Sequence, residues 1–147
     1  MATIIDIADA VAATLNDPGE PGFSQSFTAQ RKALPAFELA DLAGLHVTVV
    51  PKAVEVTGAS RSLCQHDYQI DVGVQKKFSA GSELEADVAA LCGLVEEIAA
   101  FLGRRSLTGA PGAAWVRSAN EPVYSPEHLA EKRLFTSVLT ITYRAMR

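Results

Sequence analysis

The side chains able to do chemistry in this chain are few and scattered. His46, His66 and His128 show neither HxH nor HExxH spacing. Cys64-Gln65-His66 sets two metal-ligand types close together, but nothing nearby completes the four ligands of a tetrahedral site. The glycines form neither GxGxxG nor GxxxxGK followed by Ser or Thr, so a nucleotide would lack its backbone phosphate cradle. There is no GxSxG, and no base and orienting acid are announced for a serine nucleophile. Glu96-Glu97 falls on the outer side of an amphipathic helix, the usual place of solvated acids. These residues predict no enzyme, no cofactor and no metal.

Charge and aromatic residues leave two readings open. Arg61, Gln75-Lys76-Lys77 and Arg104-Arg105 are small basic clusters, either solvated loop and strand ends or parts of a subunit interface. Trp115 and Tyr124 flank the irregular 117–122 stretch, where they are core edge or interface anchors. Arg61, Trp115, Arg117 and Tyr124 are therefore the candidate interface residues. They lie in two stretches without core periodicity, 57–66 and 108–125.

The elements that must position them follow from periodicity. Tyr68, Ile70, Val72 and Val74 alternate with Gln69, Asp71, Gly73 and Gln75, giving a strand with one buried and one polar face. Phe135, Ser137, Leu139, Ile141 and Tyr143 alternate with Thr136, Val138, Thr140 and Thr142 in a last strand over about 133–144. Residues 46–50 are β-branched as far as Pro51, and the strand extends or resumes through Val54 and Val56. With a turn at 57–61, it pairs with the Tyr68 strand as an antiparallel hairpin. Phe23, Gln25, Phe27 and Ala29 predict a further strand, and 114–117 a short one.

Two helices flank this sheet. Ile4, Ile7, Ala8, Val11 and Leu15 draw an apolar stripe over 3–16, with Asp6 and Asp9 near the positive end of the dipole. Leu84, Val88, Leu91, Val95, Ile98 and Leu102 step by three and four along a helix over 82–103. Ser82 with Glu85 has capping-box spacing, Gly103 reads as its stop, and Arg104 and Arg105 suit the negative end of the dipole. One helical turn is expected within 34–44, a flexible loop at 108–112, and another short turn from Pro126. The fold class is α+β, a mixed and mainly antiparallel sheet flanked by an N-terminal helix and a central amphipathic helix.

Composition sets the outer bounds. The 147 residues fit a single domain, 1–147, able to bury one core, and 48% hydrophobic with 20% charged residues is globular composition. No apolar run approaches the roughly 18 residues that cross a bilayer, and the acidic N-terminus lacks the bases of a signal peptide. A cytosolic origin argues against a disulfide between Cys64 and Cys92. Net charge is −4, and four acids (Asp6, Asp9, Asp17 and Glu20) are the only charges of the first twenty residues. With no basic stripe to neutralise phosphates, sequence-independent DNA gripping is not expected.

Four phrases, taken in order, resemble a known family. They are Val47-Thr48-Val49-Val50-Pro51, residues 68–77 from Tyr68 to Lys77, Leu94-Val95-Glu96-Glu97-Ile98, and residues 135–144 from Phe135 to Arg144. Together they resemble small structural proteins of long-tailed bacteriophages and prophages, in particular tail terminator (tail completion) proteins. The resemblance implies a mixed sheet flanked by helices and a homohexameric ring. Such a ring caps the tail tube, meets the head-side connector or stopper, and lets DNA pass through its lumen without specific binding. The partners implied are thus further copies of the chain, the major tail tube protein and the connector, with assembly in the host bacterial cytoplasm and residence in the virion tail or neck. Glu83, Glu85, Asp87 and the N-terminal acids are candidates for a lumen wall along which a polyanion slides. Another neck component, or a small-ligand-binding α+β domain, fits the same periodicities.

Overall fold

The computed structural model describes residues 3–20, 22–33 and 41–147. Its frame is a five-stranded sheet in the order β1-β2-β3-β5-β4. The strands are β1 (Ala29–Arg31), β2 (His46–Gly58), β3 (Cys64–Lys77), β4 (Ala114–Asn120) and β5 (Leu134–Met146). β1 lies parallel to β2, and every other pair is antiparallel. The helices are α1 (Ile4–Leu15), α2 (Leu84–Leu102) and α3 (Pro126–Lys132), and a 3-10 turn spans Asp41–Ala43. The expected helical turn within 34–44 is met by that 3-10 turn, while 34–40 lie outside the described residues. The expected α+β class, with its mixed, mostly antiparallel sheet and its N-terminal and central helices, is the one observed.

The alternation in β3 and β5 becomes a core with one apolar face. Tyr68, Ile70, Val72 and Val74, with Phe135, Leu139, Ile141 and Tyr143, are all buried, as are Val47 and Val49 of β2. α1 and α2 both lie on this face. Ile7, Ala8, Val11 and Leu15 from α1, and Leu91, Leu94, Val95, Ile98 and Leu102 from α2, join the same cluster. The N-terminal end of the α2 stripe, Leu84 and Val88, is only half-buried.

Four local expectations are corrected. Residues 23–29 form no strand beyond Ala29, because no neighbouring strand edge receives them. Their alternation serves a different contact: Phe23 packs on Phe27 and, edge-on, on Phe101, each at 5.2 Å between ring centroids. The Ser24 backbone N–H and hydroxyl donate to the Glu97 carboxylate at 2.8 and 2.5 Å. Glu97 is thus a clasp for this segment, and the reading of it as a purely solvated acid is corrected too. Asn16, at the end of α1, receives the Ala29 N–H at 2.7 Å and donates to the Ala29 carbonyl at 3.0 Å, as a strand neighbour would.

The third correction concerns helix starts. The Ser82–Glu85 capping box does not form; α2 begins after Glu83 with no side-chain cap. The Ser82 hydroxyl instead donates to the Ser79 carbonyl and accepts from Arg133. A capping box closes α1: Thr3 accepts the Asp6 N–H, and Asp6 accepts the Thr3 N–H at 2.9 Å. That bonding holds the Asp6 carboxyl below its usual value. Last, the loop expected to be flexible at 108–112 is tied to α1. Thr108 N–H donates to the buried Thr14 hydroxyl at 3.0 Å, and Leu107, Ala110 and Ala113 are buried.

Gly103 does end α2, and Arg105 donates to the Phe101 carbonyl at 2.8 Å, satisfying one of the terminal acceptors. Pro126 opens α3 as expected of an N1 proline, behind a Ser125 cap.

Candidate assembly surface

The lengths of the elements dictate where the sheet is left bare. At about 3.3 Å per residue the 13 and 14 residues of β2 and β3 reach about 43–46 Å. The 12 and 19 residues of α1 and α2, at about 1.5 Å per residue, cover about 18 and 28 Å. The hairpin is thus longer than either helix alone. At its turn end, Val54 and Val56 point to the helix-bearing face yet remain 46% and 55% exposed. Leu63 in the turn and Met146 beside Gln65 are exposed at the same end.

The edges of the sheet also end bare here. Among the described residues β1 pairs only with residues 47–49 of β2, so among them residues 50–58 of β2 have no partner on their outer edge. A bulge at Lys52 interrupts β2, and regular pairing with β3 resumes at Ala53. β4 is the opposite edge, with its own bulge at Val116.

Across the arm, on the face away from α1 and α2, runs a charged row. Arg144 donates to both carboxylate oxygens of Asp67, at 2.8 and 3.2 Å, and Gln65 donates to the same carboxylate. The Arg144 bond, with Arg117 nearby adding to it, holds the Asp67 carboxyl below its usual value. Glu55 and Arg117 flank this pair in a recess of about 390 Å³ that also holds Ala53, Gln69 and Thr142. Further along, Lys52 lies 3.9 Å from Asp71, which accepts the Thr140 hydroxyl at 2.7 Å.

The four candidate interface residues fall in three places. Trp115 and Arg117 share β4. Trp115 is half-buried on the helix side and donates to the Ser118 hydroxyl at 2.9 Å, whereas Arg117 is exposed on the other face. Arg61 is exposed in the β2–β3 turn. Tyr124 lies away from them, half-buried beside the start of α3 with its ring 5.9 Å from Phe135. Sequence reasoning missed Glu55, Asp67 and Arg144 as a charged row. The signal available was the strand alternation, which sets Asp67 on the polar face of β3 with Gln69 and Asp71, and Arg144 on that of β5 with Thr140 and Thr142.

The potential metal ligands are dispersed. His66 stacks on Tyr68, His128 Nδ1 lies 3.1 Å from the Thr136 hydroxyl, and His46 is opposite Gln75. Among the described residues no group of three or more His, Cys, Asp or Glu is placed to hold a metal. Cys64 and Cys92 are free thiols, and burial, with Glu96 adding, pushes the Cys92 thiol up. Among the described residues no helix is long and apolar enough to cross a membrane.

The fold and surface define an α+β protein with α1 and α2 on one sheet face and, among the described residues, two sheet edges without a partner strand. No protein-family model matches the chain, and no curated protein matches it. Among solved structures it is similar to a chain of a structure titled "Virion of native gene transfer agent (GTA) particle". That match has 13% identity and a TM-score of 0.45, and covers 82% of this chain and 80% of the other. At that distance the likeness carries no argument about function.

Proposed function

We propose that this chain is a structural virion protein of a long-tailed phage or prophage, a tail terminator that acts as one 147-residue domain and assembles with copies of itself. In this reading it forms a homo-oligomeric ring, six-fold in the family it resembles. The ring closes the tail tube and meets the head-side connector. DNA passes through its lumen, and no catalysis is asked of it.

The observation that supports assembly is the bare end of the sheet. Val54, Val56, Leu63 and Met146 make up most of the large apolar side chains exposed among the described residues, and all four sit there. Exposed apolar groups beside an edge without a partner, as Val54 and Val56 are among the described residues, mark a surface suited to being covered by protein. The virion assignment rests on the family resemblance, whose phrases fall on β2, β3, α2 and β5.

The test is to add the purified chain to tail tubes built from the tube protein encoded beside it, and to image them. A ring at one end of each tube, with tube growth halted, is the expected result. Arg61→Ala should fold normally and cap poorly, since Arg61 is exposed in the turn. Tubes that grow unchanged beside a chain that stays monomeric would remove the proposal.

A further inference from the structure

We infer that copies of this chain join edge to edge, the outer edge of β4 in one copy pairing antiparallel with residues 53–58 of β2 in the next. The inference rests on the ring reading above and specifies the contact that makes it.

Three features of the sheet carry it. The two edges that lack a partner among the described residues end level: Glu55 is opposite Asp67, Asp67 opposite Arg144, and Arg144 opposite Ala114. They also run in opposite directions, because β2, β3, β5 and β4 are successively antiparallel. A neighbour added in the same orientation therefore meets β2 with an antiparallel β4, and the contact is head-to-tail, as a closed ring requires. Third, on β2 the guards that sheets place on exposed edges are concentrated higher up, although β4 keeps its bulge at Val116. Pro51 and the Lys52 bulge protect the edge next to β1, but residues 53–58 contain no proline, lysine or bulge.

Charge and apolar side chains then fix the register. Glu55 on one edge and Arg117 on the other are exposed and face the same side of the sheet, and among the described residues neither makes an ion pair. Setting Arg117 of one copy opposite Glu55 of the next places Ser118 opposite Val54 and Ala119 opposite Ala53. The matching faces agree at each of these pairs. Val54 would then lie beside Ser118 of the neighbour's β4 on the helix-bearing face of a continuous sheet. Pairing β2 with its own copy about Glu55 would instead set two acids opposite each other, which is unfavourable, and would close a dimer.

The experiment measures mass by light scattering across concentration for the unmodified chain, Glu55→Arg, Arg117→Glu and the double exchange, with melts to confirm folding. Each single reversal should raise the concentration for half-assembly about tenfold or more, and the double exchange should restore it. A second measurement uses Ala53→Cys with Ala119→Cys in a Cys64→Ser, Cys92→Ala background. Within one copy these positions are three strand spacings apart, about 14 Å, beyond the roughly 7 Å a disulfide spans. Oxidation should therefore give a ladder of linked copies that neither single cysteine gives. An unmodified chain that assembles while the reversals change nothing and no ladder forms would overturn this contact and leave the ring standing. A chain that stays monomeric throughout, alone and with tail tubes that grow unchanged beside it, would overturn both.

Discussion

The same three strands meet two different surroundings along their length. Near β1, Val49, Val72 and Leu139 are opposite one another on the helix side and are buried to within a few per cent. Some five residues further along β2, Val54 and Val56 occupy the same side and are about half exposed. Nothing in the local alternation changes between the two. What changes is the layer above, since α1 and α2 end before the hairpin does. An alternating strand thus states that one face will be covered without stating by what. One end of this sheet is finished by its own chain, and the other is left exposed.

The covered end should be the sensitive one. Leu91 is 1% exposed in the centre of α2, so Leu91→Ala removes packed volume that the rigid sheet cannot refill, a loss of about 2–5 kcal/mol. A thermal melt should fall clearly. An unchanged melt would show that α2 contributes little to the core and would erase the contrast between the two ends.

Next in size is the clip that fastens β1. Asn16→Ala leaves the Ala29 N–H and carbonyl without their partners, and Ala29 is buried. An unsatisfied buried group of this kind costs about 1–3 kcal/mol. Hydrogen exchange should rise first at residues 29–31. If β1 stayed protected, the parallel pairing with residues 47–49 would be holding it without help.

These outcomes bear on how much was legible beforehand. The helices and the long strands were readable because each repeats one period over many residues: α2 shows a stripe from Leu84 to Leu102, and β3 and β5 alternate almost unbroken. The segment with Phe23 and Phe27 misled because alternation in a short stretch satisfies an aromatic cluster on Phe101 as well as it satisfies a strand. Ser82 misled because its hydroxyl has competing partners in Ser79 and Arg133, which only the fold brings near. For the surface, Arg61 and Arg117 were legible as exposed bases outside any stripe. Glu55 was hidden inside a strand pattern, and its exposure follows from its place on the face away from the helices and, among the described residues, from where β1 stops.

On the bare arm the charged row offers a smaller, pH-dependent effect. Arg144 bonding holds Asp67 below its ordinary value of 3.8 in the folded chain. A carboxyl depressed in this way contributes stability above its unfolded value, and that contribution is lost as pH falls through the folded value. The stability difference between the unmodified chain and Asp67→Asn should therefore be full near neutrality and shrink in acid, below about pH 4. Pairs as accessible as this one contribute about 0–1 kcal/mol. A difference that persisted undiminished in acid would mean that the substituted amide disturbs packing and that the Arg144 bond is not the cause.

The smallest expected change in stability is also the sharpest test of the contrast. Val56→Thr keeps the β-branched shape, so strand propensity is preserved, while one exposed methyl becomes a hydroxyl. In the isolated chain Val56 is 55% exposed, so the melt should move by no more than about 0.5 kcal/mol, the usual range for a surface substitution. At Val72, on the same face and fully buried, the identical exchange would place an unpartnered hydroxyl in the core and cost about 1–3 kcal/mol. Assembly should order the two variants the other way: Val56→Thr weakens self-association at a given concentration, whereas Val72→Thr leaves the association of its folded fraction unchanged. If Val56→Thr lowered the melt of a dilute monomer as much as Val72→Thr does, the arm would already be covered by its own chain, and no neighbour would be needed to finish the sheet.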